Sequence, residues 1–437
     1  MRARTIRNRH SAVVGRTAPA ENPPMTNASR PALLGGSPVC TRPWPRWPMF
    51  DARERQRLQA VLESGQWWYG ERVREFEAAY AAFQGARFAV SCTNGTTALE
   101  MSLRALGVVE GDEVIVPPYT FVATASAVIT VGAVPVFADI APDSLNLDPA
   151  EVERKLTPRT RAVIPVHVGG RMADMDRLNA LAARHGLAVL EDAAHAWGSQ
   201  WRGRGAGTLG RAGTFSFQVS KNITAGEGGI LVTEDEALAE LCRSFSHCGR
   251  RAGGAWYDHD YLGSNLRLTE FQAAILLAQL ERLPEQIARR EANAALLDAA
   301  LAGLPGLRRL APEPRMTRRS YHMYVFRVDE AALGLSRDRF LDALCAEGVP
   351  ASKGWYRPLY RNGLFQNAHR GPVHGITAPL AAKGVDYTTT HCPVCEAVCR
   401  DAVWIAHPAL LAEPEQVRDI ARAVAKVIEH APALREG

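Results

Sequence analysis

Residues 215–229 of this 437-residue chain have the sequence FSFQVSKNITAGEGG. Lys221 lies in their middle and is followed by small residues and three glycines. A lysine amine can form a Schiff base with an aldehyde, and glycines allow the backbone to approach a ligand closely. This segment therefore predicts a lysine that binds a carbonyl group at a strand end.

An acidic pair, Glu191 and Asp192, ends a short apolar run at residues 187–190. The run predicts a buried parallel strand, and ligands of open α/β sheets bind at the carboxyl ends of such strands. Neighbouring strand residues point to opposite faces, so we expect one acid to face the ligand and choose Asp192. A solvated acid at a strand end is the alternative interpretation of Asp192.

A turn of small residues leads from a strand-like run at 87–91 into a helix that starts near Gly95 and Thr96. Backbone N–H groups and the helix dipole at such a start favour an anion. We expect Gly95, Thr96 and the hydroxyl of Ser216 to hold a phosphate, although an ordinary helix cap is the alternative. An amine, a carboxylate and a phosphate site together predict pyridoxal 5′-phosphate as the cofactor.

Phe121 follows another strand-like run, at residues 112–116. An aromatic side chain at a strand end can stack on a cofactor ring, which would fix the tilt of that ring. A phenylalanine in the hydrophobic core is the alternative interpretation.

The periodicity predicts an α/β protein with a mostly parallel seven-stranded sheet. Helical segments alternate with strand-like runs at 87–91, 112–116, 134–139, 161–168, 187–191, 212–217 and 228–233. A long helical region at 267–303 should be interrupted near Pro284 and should lead to a smaller α+β domain. We predict a disordered tail at 1–32, a large cofactor-binding domain with an N-terminal arm at 33–300, and the small domain at 301–437. Residues 371–384 should form a loop.

The charge and hydropathy exclude some classes of protein. Residues 1–24 contain five arginines and one glutamate, which account for +4 of the formal charge of +5, so no basic surface for nucleic acid remains. No apolar run is long enough for a membrane span or a signal peptide, which predicts a cytoplasmic protein. The eight cysteines do not have the spacing of a four-ligand zinc site, so we expect no metal.

Six motifs in this order resemble the DegT/DnrJ/EryC1/StrS family of pyridoxal-phosphate-dependent sugar aminotransferases, over nearly the whole chain from about Leu33. They are NGTTAL (94–99), PYTFVAT (118–124), GAVPVFAD (132–139), EDAAH (191–195), Lys221 followed by GEGG (226–229), and GSNLRLTEFQAA (263–274). WPRWP (44–48) and SGQWWYG (64–70) resemble the branch of the inosose aminotransferases and 3-amino-5-hydroxybenzoate synthase. EGVPAS (347–352) and YRPLY (356–360) resemble the inosose enzymes more.

The resemblance implies a type I aminotransferase fold and a homodimer with both active sites at the subunit interface. It assigns Lys221 as the Schiff-base lysine, Asp192 as the partner of the pyridine nitrogen and Ser216 as a phosphate ligand. His195 stands where family members often have glutamine, near the cofactor's phenolic oxygen, and can make the same hydrogen bond. Asn265 would reach the phosphate of the partner subunit.

The branch resemblance favours L-glutamine as amino donor, with L-glutamate second, and a keto-cyclitol acceptor, with a nucleotide-linked keto-sugar second. We expect Trp68, Tyr119, His167 and Tyr356 on the substrate side, although His167 is equally a candidate for a buried structural histidine. A dehydratase of this family would have histidine in place of Lys221. The alternatives are a synthase of the 3-amino-5-hydroxybenzoate type and a non-catalytic regulator that binds the same cofactor.

Overall fold

The computed structural model of the protein describes residues 30–367 and 385–435. The strands in these ranges are β1 (Phe88–Cys92), β2 (Glu113–Val116), β3 (Val134–Phe137), β4 (Thr160–Val163), β5 (Ala188–Asp192), β6 (Gln200–Trp201), β7 (Arg204–Gly205), β8 (Ala212–Ser216), β9 (Gly229–Thr233), β10 (Leu307–Arg309), β11 (Met316–Arg318), β12 (Met323–Val328), β13 (Ala351–Ser352) and β14 (Ala402–Ala406).

The α-helices in the same ranges are α1 (Ala52–Ser64), α2 (Glu71–Gln84), α3 (Gly95–Ala105), α4 (Ala123–Thr130), α5 (Pro149–Arg154), α6 (Met175–His185), α7 (Glu236–Ser246), α8 (Glu270–Ala300), α9 (Glu330–Leu333), α10 (Arg337–Ala346), α11 (Gly363–Gln366), α12 (Pro393–Asp401), α13 (Pro414–Glu429) and α14 (Ala431–Arg435). Short 3₁₀ helices occur at Ala32–Leu34, Val168–Gly170, Leu359–Arg361 and His407–Leu411.

A seven-stranded sheet forms the centre of the fold, with the strand order β1-β9-β8-β5-β4-β2-β3. The pairs from β8 through β5, β4 and β2 to β3 are parallel, whereas β9 is antiparallel to both of its neighbours. Each of the seven predicted strands overlaps one of these strands. The predicted mostly parallel sheet is therefore confirmed, and its parallel strands β5 and β8 end next to each other.

The long helix α8 differs from the prediction, because Pro284 lies inside one continuous helix and does not interrupt it. A proline in a helix removes one backbone hydrogen bond and tends to bend the helix. Contacts with α1, α2 and α13 support α8 on several sides. One of them is a buried ion pair, in which Arg282 Nη2 donates to Glu54 Oε2 at 2.9 Å. Tertiary packing thus outweighs the local cost of the proline.

A second sheet, with the order β10-β12-β14-β13, is antiparallel and follows α8 in the chain. It has its own hydrophobic core with helices α10 and α13, and the segment from Leu33 to Trp44 packs against this core. The N–H groups of Ala32 and Val39 donate to the Glu347 carboxylate at 2.8 and 2.9 Å. The N-terminal arm is thus attached to the smaller sheet, and the proposed domain boundary at residue 300 stays a prediction.

Two predicted segments fall largely outside the described residues. The predicted loop at 371–384 lies outside them completely, and so do residues 1–29 of the predicted tail. Within the described end of that tail, Pro31 is buried and Ala32 begins a 3₁₀ helix. None of the helices in the described ranges is both long and apolar enough to cross a bilayer.

Candidate active site

A cavity of about 780 Å³ opens at the carboxyl ends of β5 and β8 and at the start of α3. Residues from the smaller sheet, including Trp404 of β14, close its other side. Seven of the residues predicted for the cofactor site line this cavity together: Gly95, Thr96, Phe121, Asp192, His195, Ser216 and Lys221. The fold therefore brings side chains from distant parts of the chain to one edge of the large sheet.

Asp192 is buried at the end of β5, and its carboxylate accepts two hydrogen bonds from the protein. Thr124 Oγ1 donates to Oδ2 at 2.8 Å, and the N–H of Ala194 donates to Oδ1 at 3.2 Å. Burial raises the pKa of Asp192, which the hydrogen bonds and the nearby Lys221 oppose. A buried carboxylate without a hydrogen-bonded cation has the chemistry to bind a protonated ring nitrogen.

Glu191 points to the other side of β5 and is fully buried there. His167 Nε2 lies 2.8 Å from Glu191 Oε2, and three backbone N–H groups, those of Gly207, Leu209 and Gly210, also donate to this carboxylate. His167 Nδ1 accepts a hydrogen bond from the N–H of Ala173 at 3.2 Å. His167 is therefore a buried structural histidine here, and the expectation that it faces the substrate is wrong.

Lys221 is half-buried, and its amine lies in the cavity that Asp192 also lines. Burial lowers the pKa of Lys221 to about 8, while the charge of Asp192 acts in the opposite direction. Two segments that are distant in sequence contact the backbone just before the lysine. Trp47 Nε1 donates to the carbonyl of Val219 at 2.9 Å, and His407 Nε2 lies 3.1 Å from the carbonyl oxygen of Ser220.

The start of α3 forms the third part of the cavity. Asn94 caps the helix, since its side chain accepts a hydrogen bond from the N–H of Thr97 at 2.9 Å. The first N–H groups of a helix have no partner within the helix, and Gly95 and Thr96 both line the cavity. A Cβ added to Gly95 would lie 2.9 Å from the Cβ of Ser216, so only glycine fits this approach. This is the geometry of an anion site.

A wall of aromatic rings lies beside Lys221 in the same cavity. The His195 ring stacks on Trp355 at 5.7 Å between centroids and lies 4.3 Å from the His322 ring. Trp355 contacts Trp404 edge to face at 4.8 Å. Burial, followed by the charge of Lys221, lowers the pKa of His195 well below its usual value, so the ring is neutral. Its Nδ1 accepts from the N–H of Gly169 at 3.4 Å, which leaves the ring proton on Nε2.

The other predicted substrate residues do not line the cavity of the single chain. Tyr119 is fully buried, so the expectation that it faces the substrate is wrong. Its hydroxyl accepts a hydrogen bond from Trp404 Nε1 at 3.0 Å, and its ring supports Trp355 from behind. Trp68 and Tyr356 are 59% and 61% exposed.

Asn265 is also exposed and lies outside the cavity lining. Its predicted role in a partner subunit stays a prediction. Phe121 lies at the open side of the cavity and is 60% exposed. These exposed residues are available for contacts beyond the single chain.

Several residues of the site were not predicted from the sequence. Thr124 lies four residues after Thr120 in the PYTFVAT motif, and this helical spacing is a signal for a hydroxyl pair. Trp355 directly precedes the YRPLY segment. No local pattern indicates His322 or Trp404, because the contact between the two sheets is a tertiary property.

The cavity fits pyridoxal phosphate on three structural observations. Gly95 and Thr96 bring the start of α3 to the cavity, Asp192 presents a buried carboxylate, and Lys221 presents an amine of lowered pKa. By contrast, the described ranges contain no group of three or more histidine, cysteine, aspartate or glutamate side chains arranged to hold a metal ion. All eight cysteines are free.

Comparisons with known proteins agree with this geometry. A Micromonospora echinospora protein, provisionally named L-glutamine:3-amino-2,3-dideoxy-scyllo-inosose aminotransferase, is 43% identical over 416 residues, which cover 93% of this chain and 98% of that protein. The L-glutamine:2-deoxy-scyllo-inosose aminotransferase of Streptoalloteichus tenebrarius is 41% identical, with 92% of this chain and 99% of that protein covered. The crystal structure of 3-amino-5-hydroxybenzoic acid synthase has a TM-score of 0.81 at 38% identity and covers 90% of this chain and 100% of that one.

The fold and the cavity are those of an aminotransferase. The model of the DegT/DnrJ/EryC1/StrS aminotransferase family matches residues 48–425, and the chain belongs to this family. The family predicted from the sequence motifs is thus confirmed. The family also favours an enzyme over a regulator without turnover.

Proposed function

We propose that this chain is a pyridoxal-phosphate-dependent aminotransferase that moves the amino group of L-glutamine to a ketone of a cyclitol ring. The observation that carries the proposal is a cavity in which Lys221, Asp192 and the start of α3 meet, in a chain about 40% identical to glutamine:inosose aminotransferases. L-glutamate is the second candidate donor, and a nucleotide-linked keto-sugar is the second candidate acceptor.

Pyridoxal phosphate, when bound, supplies an electron sink that stabilises negative charge at the α-carbon of an amino acid. Lys221 would provide the amine that holds the cofactor covalently, and its lowered pKa favours the neutral, nucleophilic form. As a free amine in the cavity, Lys221 would act as the general base that takes the proton from the donor's α-carbon. Asp192 would keep the ring nitrogen protonated, and its carboxylate is itself held by Thr124 and Ala194.

The remaining cofactor contacts follow from the cavity lining. Gly95, Thr96 and Ser216 would hold the phosphate, and Phe121 would cover one face of the ring from the open side. His195 is suited to the phenolic oxygen, because its neutral ring has a proton on Nε2 to donate. Each of these roles is part of the proposal.

The aromatic wall suits the acceptor. The C–H face of a cyclitol ring is apolar, and flat aromatic side chains such as Trp355 and Trp404 pack well against it. The hydroxyl groups of the ring need polar partners, and Gln218, Glu227 and His322 line the same cavity. We propose these residues as the substrate side within one chain, with Trp68 and Tyr356 available from a second chain.

We further propose that the active unit is a cytoplasmic homodimer. Several aromatic side chains are exposed in the single chain: Trp67, Trp68 and Tyr356, and also Phe121 at the open side of the cavity. Large exposed apolar groups are typical of protein interfaces. The eight free cysteines fit a reducing compartment.

A panel of ketone acceptors tests the acceptor assignment. The purified enzyme is incubated with L-glutamine or L-glutamate and one ketone: 2-deoxy-scyllo-inosose, its 3-amino-2,3-dideoxy analogue or a nucleotide-linked keto-sugar. Mass spectrometry then detects the amine product. We expect the cyclitol ketones to react fastest and glutamine to exceed glutamate as donor. A faster reaction with the keto-sugar would contradict the cyclitol assignment.

The similarity to 3-amino-5-hydroxybenzoic acid synthase supports a second candidate function. Such an enzyme would use the same cofactor and lysine to aromatise a ring substrate. An aminoshikimate-type ketone, added as a fourth substrate, separates the two. Formation of an aromatic amine from it, with no amination of the cyclitol ketones, would favour the synthase.

Borohydride reduction tests the cofactor assignment. Reduction should fix the cofactor covalently on Lys221, and peptide mapping by mass spectrometry should find the added mass within residues 215–229. Lys353 serves as the control, because it is exposed and lies outside the cavity lining. A label on another lysine, or no label after loading with the cofactor, would contradict the role of Lys221.

A further inference from the structure

A second cavity, of about 680 Å³, lies between the end of α8, the segment that contains β11, and the start of β12. It shares no lining residue with the catalytic cavity among the described residues. Three arginines line it, Arg171, Arg309 and Arg319, together with three acids. The partners of these charged groups decide what the cavity can bind.

The three acids already have partners in the protein. Glu313 Oε2 pairs with Arg315 Nη2 at 2.7 Å. Asp298 Oδ1 accepts from the hydroxyl of Tyr324 at 2.7 Å and lies 3.7 Å from Arg309 Nη1. Glu291 Oε1 accepts a hydrogen bond from the backbone N–H of Arg319 at 2.7 Å.

Two of the arginines lack a carboxylate partner in the described residues. Arg171 is 94% buried, since only 6% of it is exposed, and Nη2 donates to the carbonyl of Ala311 at 2.6 Å. Its Nε is buried without any partner in the described ranges. Arg319 lies 4.2 Å from the ring centre of Tyr321, and its Nε and Nη2 are likewise buried and unpaired.

Two unpaired positive charges beside one cavity are unfavourable without an anion. Burial, followed by the charge of Arg319, lowers the pKa of Arg171 to about 10, although the charges of Glu313 and Asp143 act in the opposite direction. Burying a charge costs free energy, and an opposite charge that binds to it offsets part of this cost. The planar guanidinium group matches the geometry of carboxylate and phosphate groups.

We propose that this cavity binds a small oxyanion, a carboxylate or a phosphate, between Arg171 and Arg319. The proposal goes beyond transamination and does not depend on the identity of the substrates. Arg309 does not take part, because Asp298 already neutralises it.

A short series of contacts connects this cavity with the catalytic cavity. Tyr321, on the wall of the second cavity, has φ of 49°, and the next residue, His322, lines the catalytic cavity. The carbonyl of Ser320 accepts a hydrogen bond from Asn222 Nδ2 at 3.0 Å, and Asn222 directly follows Lys221. Arg319 is thus three residues along the chain from His322, whose ring contacts His195 and Asn222.

Calorimetric titration of the cofactor-loaded enzyme tests the proposal. Inorganic phosphate and acetate serve as probes of the two anion classes, with chloride at matched ionic strength as the control. The variants are Arg171→Gln and Arg319→Gln, with Arg309→Gln as the matched control in the same cavity. Thermal unfolding of each variant without a probe is measured in parallel.

We expect saturable binding of at least one probe to the wild type and to Arg309→Gln. In Arg319→Gln and Arg171→Gln the affinity should fall at least about tenfold, which corresponds to about 1.4 kcal/mol. Without a probe, Arg319→Gln should unfold no earlier than the wild type, because it removes repulsion between like charges. A preference for phosphate or acetate identifies the anion class.

Three results would overturn the proposal: no saturable binding of either probe, equal affinity in all four proteins, or loss of affinity in Arg309→Gln alone. If Arg171→Gln does not fold, Arg319→Gln decides the outcome, because Arg319 is only partly buried. Arg319→Lys, which keeps the charge, should then retain part of the affinity. Since titration does not measure turnover, its failure leaves the aminotransferase assignment unaffected.

Discussion

Glu191 and Asp192 are consecutive acids on β5 with opposite surroundings. The Glu191 carboxylate lies within hydrogen-bond distance of four donors, so its charge is satisfied by the protein alone. The Asp192 carboxylate has two donors and a raised pKa, so it has capacity for a cationic ligand. Glu191 therefore has a structural role, and Asp192 has the capacity to bind a cationic ligand.

Replacing Asp192 by asparagine should leave cofactor binding largely intact and remove most of the transamination. The ring nitrogen then loses the charge that keeps it protonated, while the phosphate contacts at α3 remain. We expect kcat to fall more than about tenfold, or about 1.4 kcal/mol in the barrier. Single-turnover kinetics and the cofactor content of the purified protein measure the two effects.

Glu191→Gln is the matched control, because it changes the neighbouring acid in the same way. It should lower the melting temperature and leave the cofactor-dependent rate of the folded fraction near that of the wild type. A similar loss of kcat in both variants would contradict the separate roles of the two acids.

The lowered pKa of Lys221 predicts a pH dependence for cofactor capture by the cofactor-free protein. Only the neutral amine attacks an aldehyde, so the capture rate should rise with pH through about 8, and not through the ordinary lysine value of 10.5. The charge of Asp192 raises this pKa, so Asp192→Asn should move the midpoint to lower pH. Stopped-flow absorbance across this pH range measures both midpoints, and identical midpoints would contradict the coupling.

The sequence predicted site residues correctly where the local backbone geometry determines which way the side chain points. Strand alternation separates Asp192 from Glu191, and the glycine-rich segment marks Lys221. Tyr119 and His167 occupy comparable strand ends, yet both are fully buried, since each has a partner more than 20 residues away. A single sequence does not contain the direction of such side chains.

Among the elements, the start of α3 packs so closely against the end of β8 that a side chain in place of Gly95 would collide with β8. An added Cβ would lie 2.9 Å from Ser216 Cβ and 3.5 Å from the carbonyl oxygen of Phe215. The two elements are therefore in contact through backbone and Cβ atoms. The N–H groups of α3 and the hydroxyl of Ser216 are fixed at a short mutual distance by this contact.

Gly95→Ala should weaken cofactor binding because α3 must move away from β8. We expect a loss of about 1–3 kcal/mol, the usual cost of an added methyl group in a packed site. Equilibrium dialysis with pyridoxal phosphate measures the loss. Gly363→Ala, at the start of α11, is the control, because its Cβ would meet only Asn367 Nδ2 at 3.4 Å. Equal affinities in the two variants would contradict the phosphate site at α3.

Most elements were predictable, and the exceptions have physical causes. Most strands of the large sheet have the apolar runs of buried strands, and the sequence indicated all seven. Strands β6 and β7 have two residues each, too few to show a period. Pro284 indicated a helix interruption that the packing of α8 prevents.

In the molecule as a whole, two segments that are distant in sequence support the backbone before Lys221. Trp47 from the N-terminal arm and His407 from the C-terminal part contact the carbonyl oxygens of Val219 and Ser220. The rings of Trp47 and His407 meet edge to face at 4.5 Å. No local sequence pattern predicts this arrangement, because it depends on how the smaller sheet packs against the large one.

We expect the active unit to be a homodimer in which Asn265 of one subunit completes the phosphate site of the other. Asn265 is exposed, lies outside the cavity of its own chain and precedes α8. An amide is a neutral donor, so Asn265→Ala should weaken cofactor retention by about 1–3 kcal/mol without preventing folding.

Mixing two inactive variants, Lys221→Ala and Asn265→Ala, makes the test specific. If Asn265 acts across the interface, a mixed dimer has one site with both defects and one site with neither, so activity returns. If Asn265 acts within its own chain, every site of a mixed dimer has one defect and activity stays absent. The assay is run at cofactor concentrations where the Asn265→Ala parent is inactive, and differently tagged subunits verify that mixed dimers form. Verified mixed dimers without activity would show that the two sites are not shared.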